Sequence, residues 1–391
     1  MNHRSPHFLH AEVDNYRREL VEAARSFAEA KLSGDANALQ SGVKFREYFR
    51  LLADQGWAGI FLPTSDGGQG GSLLDAVLVI EAVARVSPLG GDAIQALNFG
   101  AIQQVARLGS DDLKERYLKP CLQGTSVISV SMTEPDAGSS VTDLATSAKA
   151  SGDSVILNGQ KIFTTHGAHA DYFVVWVKFG PDRESAGAVL VERDTPGLTV
   201  DASHVFMSGE HYGILYLDQA RVSASNILVD HDGFHRLLAV FNIERLGNAT
   251  RSLALGQAAF DLAVAHLKDR RQFGRRLAEF QGLQWRIAEI KVQLEAARLL
   301  LYAAASNVDV GLPSALDTSM AKLACNRAGF NAANEALQIF GAYGYDNEAV
   351  VNYLFRRTRG WMIAGGTIEQ MLNRIAAEVI GERLPQRSNH S

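Results

Sequence analysis

The sequence predicts an α+β multidomain fold: an N-terminal α-helical domain, a middle antiparallel β domain and a C-terminal four-helix-type bundle. Apolar residues recur at helical spacing in the first third of the chain, β-forming residues dominate the middle, and helical spacing then returns in very long segments. With 391 residues, 47% of them hydrophobic, the chain can bury two or three cores.

The first domain is placed at residues 1–124. Its helical spacing is clearest in LVEAARSFAEA, FREYFRLLADQG and LLDAVLVIEAVARV. The strongest interruption is the turn-forming stretch PTSDGGQGG at Pro63–Gly71. The sequence therefore predicts helices joined by turns, without strands.

The middle domain is placed at residues 125–232. In SVILNGQKIFTT, β-forming residues surround Asn158–Gly159, a pair that predicts a two-residue hairpin turn. Further strands are predicted in DYFVVWVKF, GAVLVER and YGILYLD. The domain is small enough for a sandwich or a barrel.

The last domain is placed at residues 233–391. Its longest segments with helical spacing are ERLGNATRSLALGQAAFDLAVAHLKDRR and LQWRIAEIKVQLEAARLLLYAAASNV. Segments of this length are typical of a helix bundle, whose exposed apolar stripes often contact partners in an oligomer.

Composition excludes several classes of function. A net charge of −5 gives no attraction to nucleic acid or to an anionic membrane. No apolar run reaches the roughly 18 residues that membrane insertion needs, and the N-terminus lacks the apolar core of a signal peptide. Cys121 and Cys325 form no disulfide framework or metal-spaced pair, which favours a reducing compartment. We therefore expect a cytoplasmic protein.

Three stretches stand out: TEPDAGSS at Thr133–Ser140, KIFTTHG at Lys161–Gly167, and RRQFG at Arg270–Gly274 with Gln281. With the α, β, α order, they resemble the FAD-dependent acyl-CoA dehydrogenase family over nearly the whole chain. The resemblance implies an acyl-CoA dehydrogenase-like fold, with FAD held between the β domain and the bundle. It also implies an oxidoreductase acting on an acyl-CoA thioester.

The first stretch resembles the family's flavin-contacting loop. By that resemblance Met132 and Thr133 contact the pyrimidine edge of the flavin, Gly138 leaves room for close backbone approach, and Ser139 donates to the pyrophosphate. The alternative is an ordinary Gly/Ser surface turn.

In the second stretch, the resemblance implies that Phe163 packs on the isoalloxazine and that the Thr165 hydroxyl reaches flavin N5. Residues two apart point to the same face of a strand, so both can contact one ligand. The family more often has Trp at the position of Phe163. The alternative is a core aromatic, the usual place of such a residue in a strand.

The third stretch implies contacts to the FAD of a neighbouring subunit, since a guanidinium can bind a pyrophosphate through two hydrogen bonds. The alternative is a solvated basic helix end. Further dinucleotide contacts are implied near the C-terminus, where Ala342 and Glu369 replace residues that are more usual in the family. The implied positions are Arg270, Gln272, Phe273, Gln281, Gln338, Thr367 and Glu369.

Dehydrogenation also needs a carboxylate that accepts the α proton. Many relatives carry it in a C-terminal stretch where this chain has Gly365, but a subset carries it on a long helix before an Arg, as in Glu244-Arg245. The resemblance therefore implies Glu244 as the base, Arg245 as its support, and the backbone N–H of Gly365 as a donor to the thioester carbonyl. The alternative for Glu244-Arg245 is a surface or structural ion pair.

The predicted reaction passes the α proton to Glu244 and the β hydride to FAD N5, giving a trans-2-enoyl-CoA. The resemblance implies an electron-transfer flavoprotein as acceptor and a homotetramer. One alternative is another reaction of an acyl-CoA in the same fold, either group elimination or enoyl-CoA reduction. Another is a flavin-containing binding or regulatory protein without turnover. No metal is predicted, because Asp230, His231, Asp232 and His235 lie where capping residues are common.

Overall fold

This computed structural model describes residues 15–33, 43–182, 185–230, 233–309 and 311–382. The chain divides into two compact units, Met1–Gly247 and Asn248–Ser391. The division falls inside one long helix, fourteen residues after the predicted start of the C-terminal domain (247 minus 233). The three predicted domain ranges remain a prediction.

The first unit begins with helices, as the sequence predicts. α3 begins at a capping box, in which Ser72 and Asp75 bond each other's backbone amides. α4 follows directly, with Ser87 as its N-cap and Pro88 in its first turn. The helices are α1 (Asn15–Lys31), α2 (Val43–Asp54), α3 (Leu73–Val86), α4 (Pro88–Ala96), α5 (Ala101–Leu108), α6 (Asp111–Leu113) and α7 (Lys119–Leu122).

Eight strands follow and form one sheet in the order β6-β7-β3-β2-β4-β5-β8, with β1 beside β4. The predicted antiparallel arrangement needs correction at two pairings, because β4 is parallel to β1 and to β2. The other pairings are antiparallel. The strands are β1 (Ile128–Ser131), β2 (Ser147–Ser151), β3 (Ser154–Thr165), β4 (Tyr172–Lys178), β5 (Ala186–Glu192), β6 (Leu198–Asp201), β7 (Tyr212–Ser223) and β8 (Ile227–Val229).

The predicted hairpin turn at Asn158–Gly159 is wrong. These residues lie inside β3, and the chain turns instead at Gly152–Asp153, between the paired ends of β2 and β3. Gly159 marks an irregularity, because the register between β3 and β7 shifts between Leu157 and Gly159. A Cβ on Gly159 would lie 2.5 Å from Oγ1 of Thr146. The glycine therefore serves a close backbone approach rather than a turn.

The second unit is the predicted bundle of long helices. α10 packs against α9, α12 and α13. A Cβ on Gly256 would lie 2.5 Å from Cα of Gly329, so α8 and α10 approach each other through backbone atoms. The elements are α8 (Gly233–Asp269, which begins in the first unit), β9 (Arg271–Gln272), β10 (Arg275–Arg276), α9 (Gln281–Ser306), β11 (Val308–Asp309), β12 (Leu312–Pro313), α10 (Ala315–Phe340), α11 (Ala342–Tyr345), α12 (Val350–Trp361) and α13 (Ile368–Ile380).

Candidate active site

Glu244 lies half-buried on α8, with its carboxylate against the end of α4 and the turn that follows. The side-chain amide of Gln95 donates a hydrogen bond to its Oε2. Gly100 lies on the other side: a Cβ there would be 3.1 Å from the same oxygen. Gly100 also has φ 60° and ψ −124°, a conformation that residues with side chains rarely adopt. The carboxylate therefore occupies a space that glycine leaves open.

Arg245 is buried and packs along its own helix. Its Nη1 donates to Oδ1 of Asn242 at 2.6 Å, and its guanidinium lies 5.3 Å from the centre of the Phe241 ring. The burial of Arg245 on an aromatic face argues against a surface ion pair, while a structural ion pair stays an alternative for this position. Its support of Glu244 remains a prediction.

The first two flavin-type stretches are joined directly. The backbone N–H of Ile162 donates to the carbonyl of Thr133 at 2.8 Å, and the Thr164 hydroxyl donates to Ser131 Oγ at 3.1 Å. The inward side chains of β3 at this point are therefore polar and bonded to the neighbouring segment. This leaves Phe163 and Thr165 on the exposed side of the strand.

Phe163 is 49% exposed, so the alternative that it is a core aromatic is wrong. Its φ is 56°, and it stands within a second register shift, between Lys161 and Thr164. The bulge turns the ring outward, beside Tyr212 with ring centres 5.1 Å apart. An exposed aromatic ring in a strained conformation is suited to stack on a planar ligand.

A buried ion pair stands behind these stretches. Lys161 Nζ lies 2.6 Å from Oε1 of Glu134, with the two side chains 0% and 6% exposed. The same ammonium donates to the Met132 carbonyl at 3.2 Å. The Glu134 carboxylate also accepts from the backbone amides of Ala145 and Thr146 at 2.5 and 3.0 Å. The pair thus connects the loop after β1, the start of β2 and the middle of β3.

The two charges shift each other's titration. Burial raises the pKa of Glu134, but the Lys161 ammonium and the hydrogen bonds lower it further, and the net pKa lies below its ordinary value. Burial lowers the pKa of Lys161 to about 8, although the Glu134 carboxylate opposes this shift.

The loop after Glu134 turns back at once, since Glu134 and Ala137 exchange backbone hydrogen bonds at 3.1 and 3.2 Å. Gly138 and Ser139 follow on its exposed side, with nothing within 4 Å of a Cβ on Gly138. Open backbone beside a serine hydroxyl can approach and donate to a phosphate. The donors fit the flavin dinucleotide that the sequence predicts.

In the second unit, the Arg270–Gln281 segment forms a small hairpin after α8. Phe273 and Gly274 make its turn, with φ of 52° and 77°, and Phe273 is 93% exposed. The guanidinium of Arg270 lies over the Tyr343 ring, 5.4 Å from its centre. Gln272 is exposed on β9, Gln281 begins α9, and Gln338 is exposed near the end of α10. The hairpin presents the donors and the aromatic ring outward.

Gly365 precedes α13 and has φ of 70°. A buried amide network supports its neighbour: Asn248 Nδ2 donates to the Ala364 carbonyl at 3.3 Å, Asn326 donates to Asn248 at 3.0 Å, and Lys322 donates to Asn326 at 3.0 Å. A Cβ on Gly365 would lie 3.5 Å from Lys322 Cε, which is an ordinary van der Waals contact. The left-handed backbone, rather than crowding, therefore favours glycine here.

Thr367 and Glu369 form the first turn of α13. The Thr367 side chain caps the helix by accepting from the backbone N–H of Gln370 at 3.3 Å. The backbone amide of Glu369 itself and the Thr367 hydroxyl hold the pKa of the Glu369 carboxyl below its ordinary value. Both residues therefore have capping roles, beside the FAD contacts that stay a prediction.

Sequence reasoning missed several residues around these positions. Glu134 and Lys161 stand inside the quoted motifs but received no role, because Glu134 lies in the loop after β1 and only the fold brings it to Lys161 of β3. Gln95 and Gly100 gave no signal, because their contact with Glu244 spans about 150 residues.

The histidines at and just after the KIFTTHG stretch pack on an aromatic ring of α2. His166 and His169 both stack on Phe45 of α2, with ring centres 4.2 and 5.4 Å away. Across the described ranges, no group of three or more His, Cys, Asp or Glu could hold a metal; His231 and Asp232 lie outside them. No helix in the described part of the chain is long and apolar enough to cross a membrane.

Three sequence-family models match the chain: acyl-CoA dehydrogenase N-terminal domain at residues 15–125, middle domain at 129–219 and C-terminal domain at 231–380. A 3-sulfinopropanoyl-CoA desulfinase of Paraburkholderia xenovorans is 34% identical, over 96% of this chain and 99% of the relative. A 3-(aryl)acrylate reductase of Clostridium sporogenes is 32% identical, over 93% and 98%. The caffeyl-CoA reductase-Etf complex subunit CarC of Acetobacterium woodii is 32% identical, over 89% and 94%.

Solved structures are similar along the same length. Butyryl-CoA dehydrogenase from Megasphaera elsdenii has a TM-score of 0.87 and 28% identity, over 94% of this chain and 98% of that one. The FAD complex of PigA has a TM-score of 0.86 and 27% identity, over 95% and 99%. The similarity therefore extends through all three predicted parts of the chain.

Proposed function

The chain belongs to the acyl-CoA dehydrogenase family, and from that premise we propose that it is an FAD-dependent enzyme that oxidises an acyl-CoA thioester to its trans-2-enoyl-CoA. The observation that carries this proposal is the setting of Glu244. Its half-buried carboxylate accepts a hydrogen bond from Gln95 and fills the space that Gly100 leaves open. Gly365, at the C-terminal position where many relatives carry the base, has no carboxylate.

The residues have separate roles in this reaction. Glu244 takes the α proton, since a positioned carboxylate is the general base that this chemistry needs. The backbone N–H of Gly365 donates to the thioester carbonyl oxygen as negative charge develops there. Arg245, buried beside Asn242, keeps this part of α8 in place. FAD, when bound, accepts the β hydrogen as hydride.

The predicted FAD contacts fall into two groups. The first group lies on two hydrogen-bonded segments of the first unit. The proposed contacts to the flavin ring come from Met132, Thr133, Phe163 and Thr165, and those to the pyrophosphate come from Gly138 and Ser139. The second group is held by the bundle. Its members in the Arg270–Gln281 stretch bind the FAD of a neighbouring subunit, and those nearer the C-terminus make further dinucleotide contacts. The second group comprises Arg270, Gln272, Phe273, Gln281, Gln338, Thr367 and Glu369.

The proposed partners follow from the same premise. Electrons pass from the reduced flavin to an electron-transfer flavoprotein; the similarity to CarC, named as part of an Etf complex, supports this assignment. A homotetramer is supported by the exposed apolar face of α9, which includes Trp285 and Val292 at 62% and 69% exposure.

A second reaction is favoured by a specific observation. The relatives that match this chain at 34% and 32% identity are named as a desulfinase of 3-sulfinopropanoyl-CoA and a reductase of 3-(aryl)acrylate. The fold therefore also suits elimination of a β substituent from an acyl-CoA, or reduction of a conjugated double bond. A flavin-containing binding protein without turnover is the remaining alternative.

Anaerobic mixing of the FAD-loaded protein with saturated acyl-CoAs separates these reactions. The panel is butyryl-, isobutyryl-, octanoyl- and 3-phenylpropanoyl-CoA. A further probe is 3-sulfinopropanoyl-CoA, in which loss of the sulfinate group with water replaces the C–S bond by C–H and gives propanoyl-CoA and sulfite. Bleaching of the flavin by a saturated member supports dehydrogenation. Two outcomes support the second reaction instead. One is sulfite release without bleaching of the flavin. The other is reoxidation of the reduced flavin by cinnamoyl-CoA when no saturated member of the panel bleaches it.

The base is tested by Glu244→Gln. We expect this variant to bind FAD normally and to bleach about 10²–10⁴-fold more slowly, the usual contribution of a general base. Glu348→Gln, a change at an exposed acid, is the matched control and should bleach at the wild-type rate. Bleaching by Glu244→Gln at the control rate would remove Glu244 from the mechanism.

A further inference from the structure

The end of α4 makes a direct polar contact with the proposed base. Gln95, 5% exposed, donates its side-chain amide to Oε2 of Glu244. The same side chain also packs on α8 one turn further along, where a Cβ on Gly247 would lie 3.1 Å from its Cγ. Gln95 is therefore held in a gap that a glycine opens, against the carboxylate.

The turn after Gln95 is fixed by side-chain amides. Asn98 accepts from the backbone N–H of Ile60 at 2.7 Å and donates to the carbonyl of Trp57 at 2.7 Å. Gln103 donates to the carbonyl of Asn98 at 2.8 Å. These bonds are buried and neutral, so they hold the turn, and with it Gly100, without adding charge near Glu244.

The two helices that make the contact carry few charges close to it in sequence. Asp92 is the only charged residue of α4, and Arg245 is the only other charged residue within one turn of Glu244 on α8. The donor that Gln95 supplies to the carboxylate is a neutral amide. A neutral donor favours the ionised carboxylate yet leaves it basic, whereas a contacting cation would weaken it as a base.

We propose that Gln95 is a positioning residue for Glu244: its amide holds the carboxylate in one orientation and in its ionised form, ready to accept the α proton. This inference rests on the proposed function, in which Glu244 takes that proton. Loss of this donor makes a half-buried carboxylate easier to protonate and less fixed in its orientation.

The test follows exchange of the α hydrogen, which needs the base but no oxidation. The FAD-loaded protein is incubated with the saturated acyl-CoA panel in D2O across a pH series, and deuterium uptake is measured by mass spectrometry. For Gln95→Leu we expect about tenfold slower exchange at neutral pH, as loss of one hydrogen bond to a charged group implies. The acid limb of its pH profile should move to higher pH.

Two further variants complete the design. Gln95→Glu keeps the chain length but places a second carboxyl beside the base, so the acid limb should move further than in Gln95→Leu. Gln104→Leu is the matched control: Gln104 is a buried glutamine on α5 that accepts from Trp176 at 3.2 Å. The pH profile of Gln104→Leu should keep the acid limb of the wild type. Thermal melts and flavin absorbance establish that each variant is folded and loaded.

The outcomes separate the two proposals. If Glu244→Gln stops exchange while both Gln95 variants keep the wild-type rate and limb, the inference about Gln95 is wrong and the proposed function stands. If Glu244→Gln exchanges normally, or the wild type exchanges no panel member, the proposed function fails and the inference fails with it. If Gln95→Leu does not fold, the acid limb of the pH profile of Gln95→Glu decides whether the inference about Gln95 holds.

Discussion

Gly100 combines two requirements at a single residue. Its backbone conformation is nearly reserved for glycine, and the space where a side chain would begin belongs to the Glu244 carboxylate. Gly100→Ala should therefore lower the free energy of unfolding by about 1–3 kcal/mol, the usual cost of such backbone strain. It should also slow α-hydrogen exchange, because the new methyl group displaces the carboxylate. Urea unfolding and deuterium uptake measure the two effects separately.

Gly152→Ala is the matched control for that prediction. Gly152 has a similar positive φ of 65°, but nothing lies within 4 Å of its Cβ position. Alanine there should cost stability through strain alone and leave exchange unchanged. Equal exchange rates in the two variants would show that the space beside Glu244 does not matter.

Single residues also show where local sequence statistics are a poor guide to structure. Phe163 follows the family position, yet β-strand statistics would bury it; only the bulge between Lys161 and Thr164 turns its ring outward. Arg357, where the family commonly has Asp, lies 4.9 Å from the centre of the Trp361 ring, and Arg251 lies 5.2 Å from the same ring. That cation–π arrangement depends on three helical positions and has no local sequence signal.

At the scale of elements, strand and helix positions could be predicted wherever periodicity was strong. The segment DYFVVWVKF became β4, and the long helical patterns became α8 and α9. The hairpin turn could not be placed, because Asn158–Gly159 has the local chemistry of a turn while a tertiary contact with Thr146 sets its conformation. The contact between Gln95 and Glu244 could not be predicted for the same reason, because Gln95 lies on another helix.

The Lys161–Glu134 pair is the strongest link between elements of the proposed flavin-contacting region. Lys161→Met should lower the free energy of unfolding by about 3–5 kcal/mol, because it leaves a buried carboxylate without its cation. It should also weaken FAD retention, since the pair fixes the segments that carry Met132 and Phe163. Urea unfolding of the FAD-free protein and flavin fluorescence measure these two effects.

The double variant Lys161→Met with Glu134→Gln sharpens this prediction. Removing both charges should recover a large part of the lost stability, because no unpaired charge then stays buried. Lys149→Met, at an exposed lysine on neighbouring β2, is the control and should change little. A Lys161→Met variant as stable as that control would contradict the structural role of the pair.

A second link between elements predicts a dependence on pH. Asp75, at the start of α3, accepts from Arg17 of α1 at 2.7 Å and from the backbone N–H of Ser72 at 2.8 Å. Burial raises the pKa of Asp75, but these bonds outweigh burial and hold it below its ordinary value. Its contribution to stability is therefore present above the unfolded-state pKa of about 4 and is lost as the pH falls through the lower folded-state pKa.

Urea unfolding of the wild type and of Asp75→Asn checks that sign. At pH 6 the wild type should be the more stable, and the difference should shrink as the pH falls from about 4 toward 3, as protonation removes the same charge. A difference that stays constant over this range would mean that Asp75 is not ionised against Arg17 in the folded protein.

At the scale of the whole molecule, α9 carries an exposed apolar stripe that a monomer does not need. Trp285, Val292 and Leu299 are 62%, 69% and 45% exposed and follow one another at intervals of seven residues, which places them on one face of the helix. Exposed apolar area of this kind marks a protein–protein interface. The stripe supports the proposed homotetramer, in which each FAD is completed by a neighbouring subunit.

Val292→Glu should therefore dissociate the assembly, because a carboxylate in the centre of an apolar interface must be desolvated without a partner. We expect sedimentation velocity to show smaller species at micromolar concentration. FAD should be lost at the same time, since Arg270 and Gln281 would no longer reach the neighbouring dinucleotide. Lys268→Glu, a charge change at an exposed position of α8, should keep the wild-type size and flavin content. A Val292→Glu variant that sediments as the wild type would show that another surface holds the subunits together; one that dissociates but keeps its flavin would show that each chain binds FAD alone.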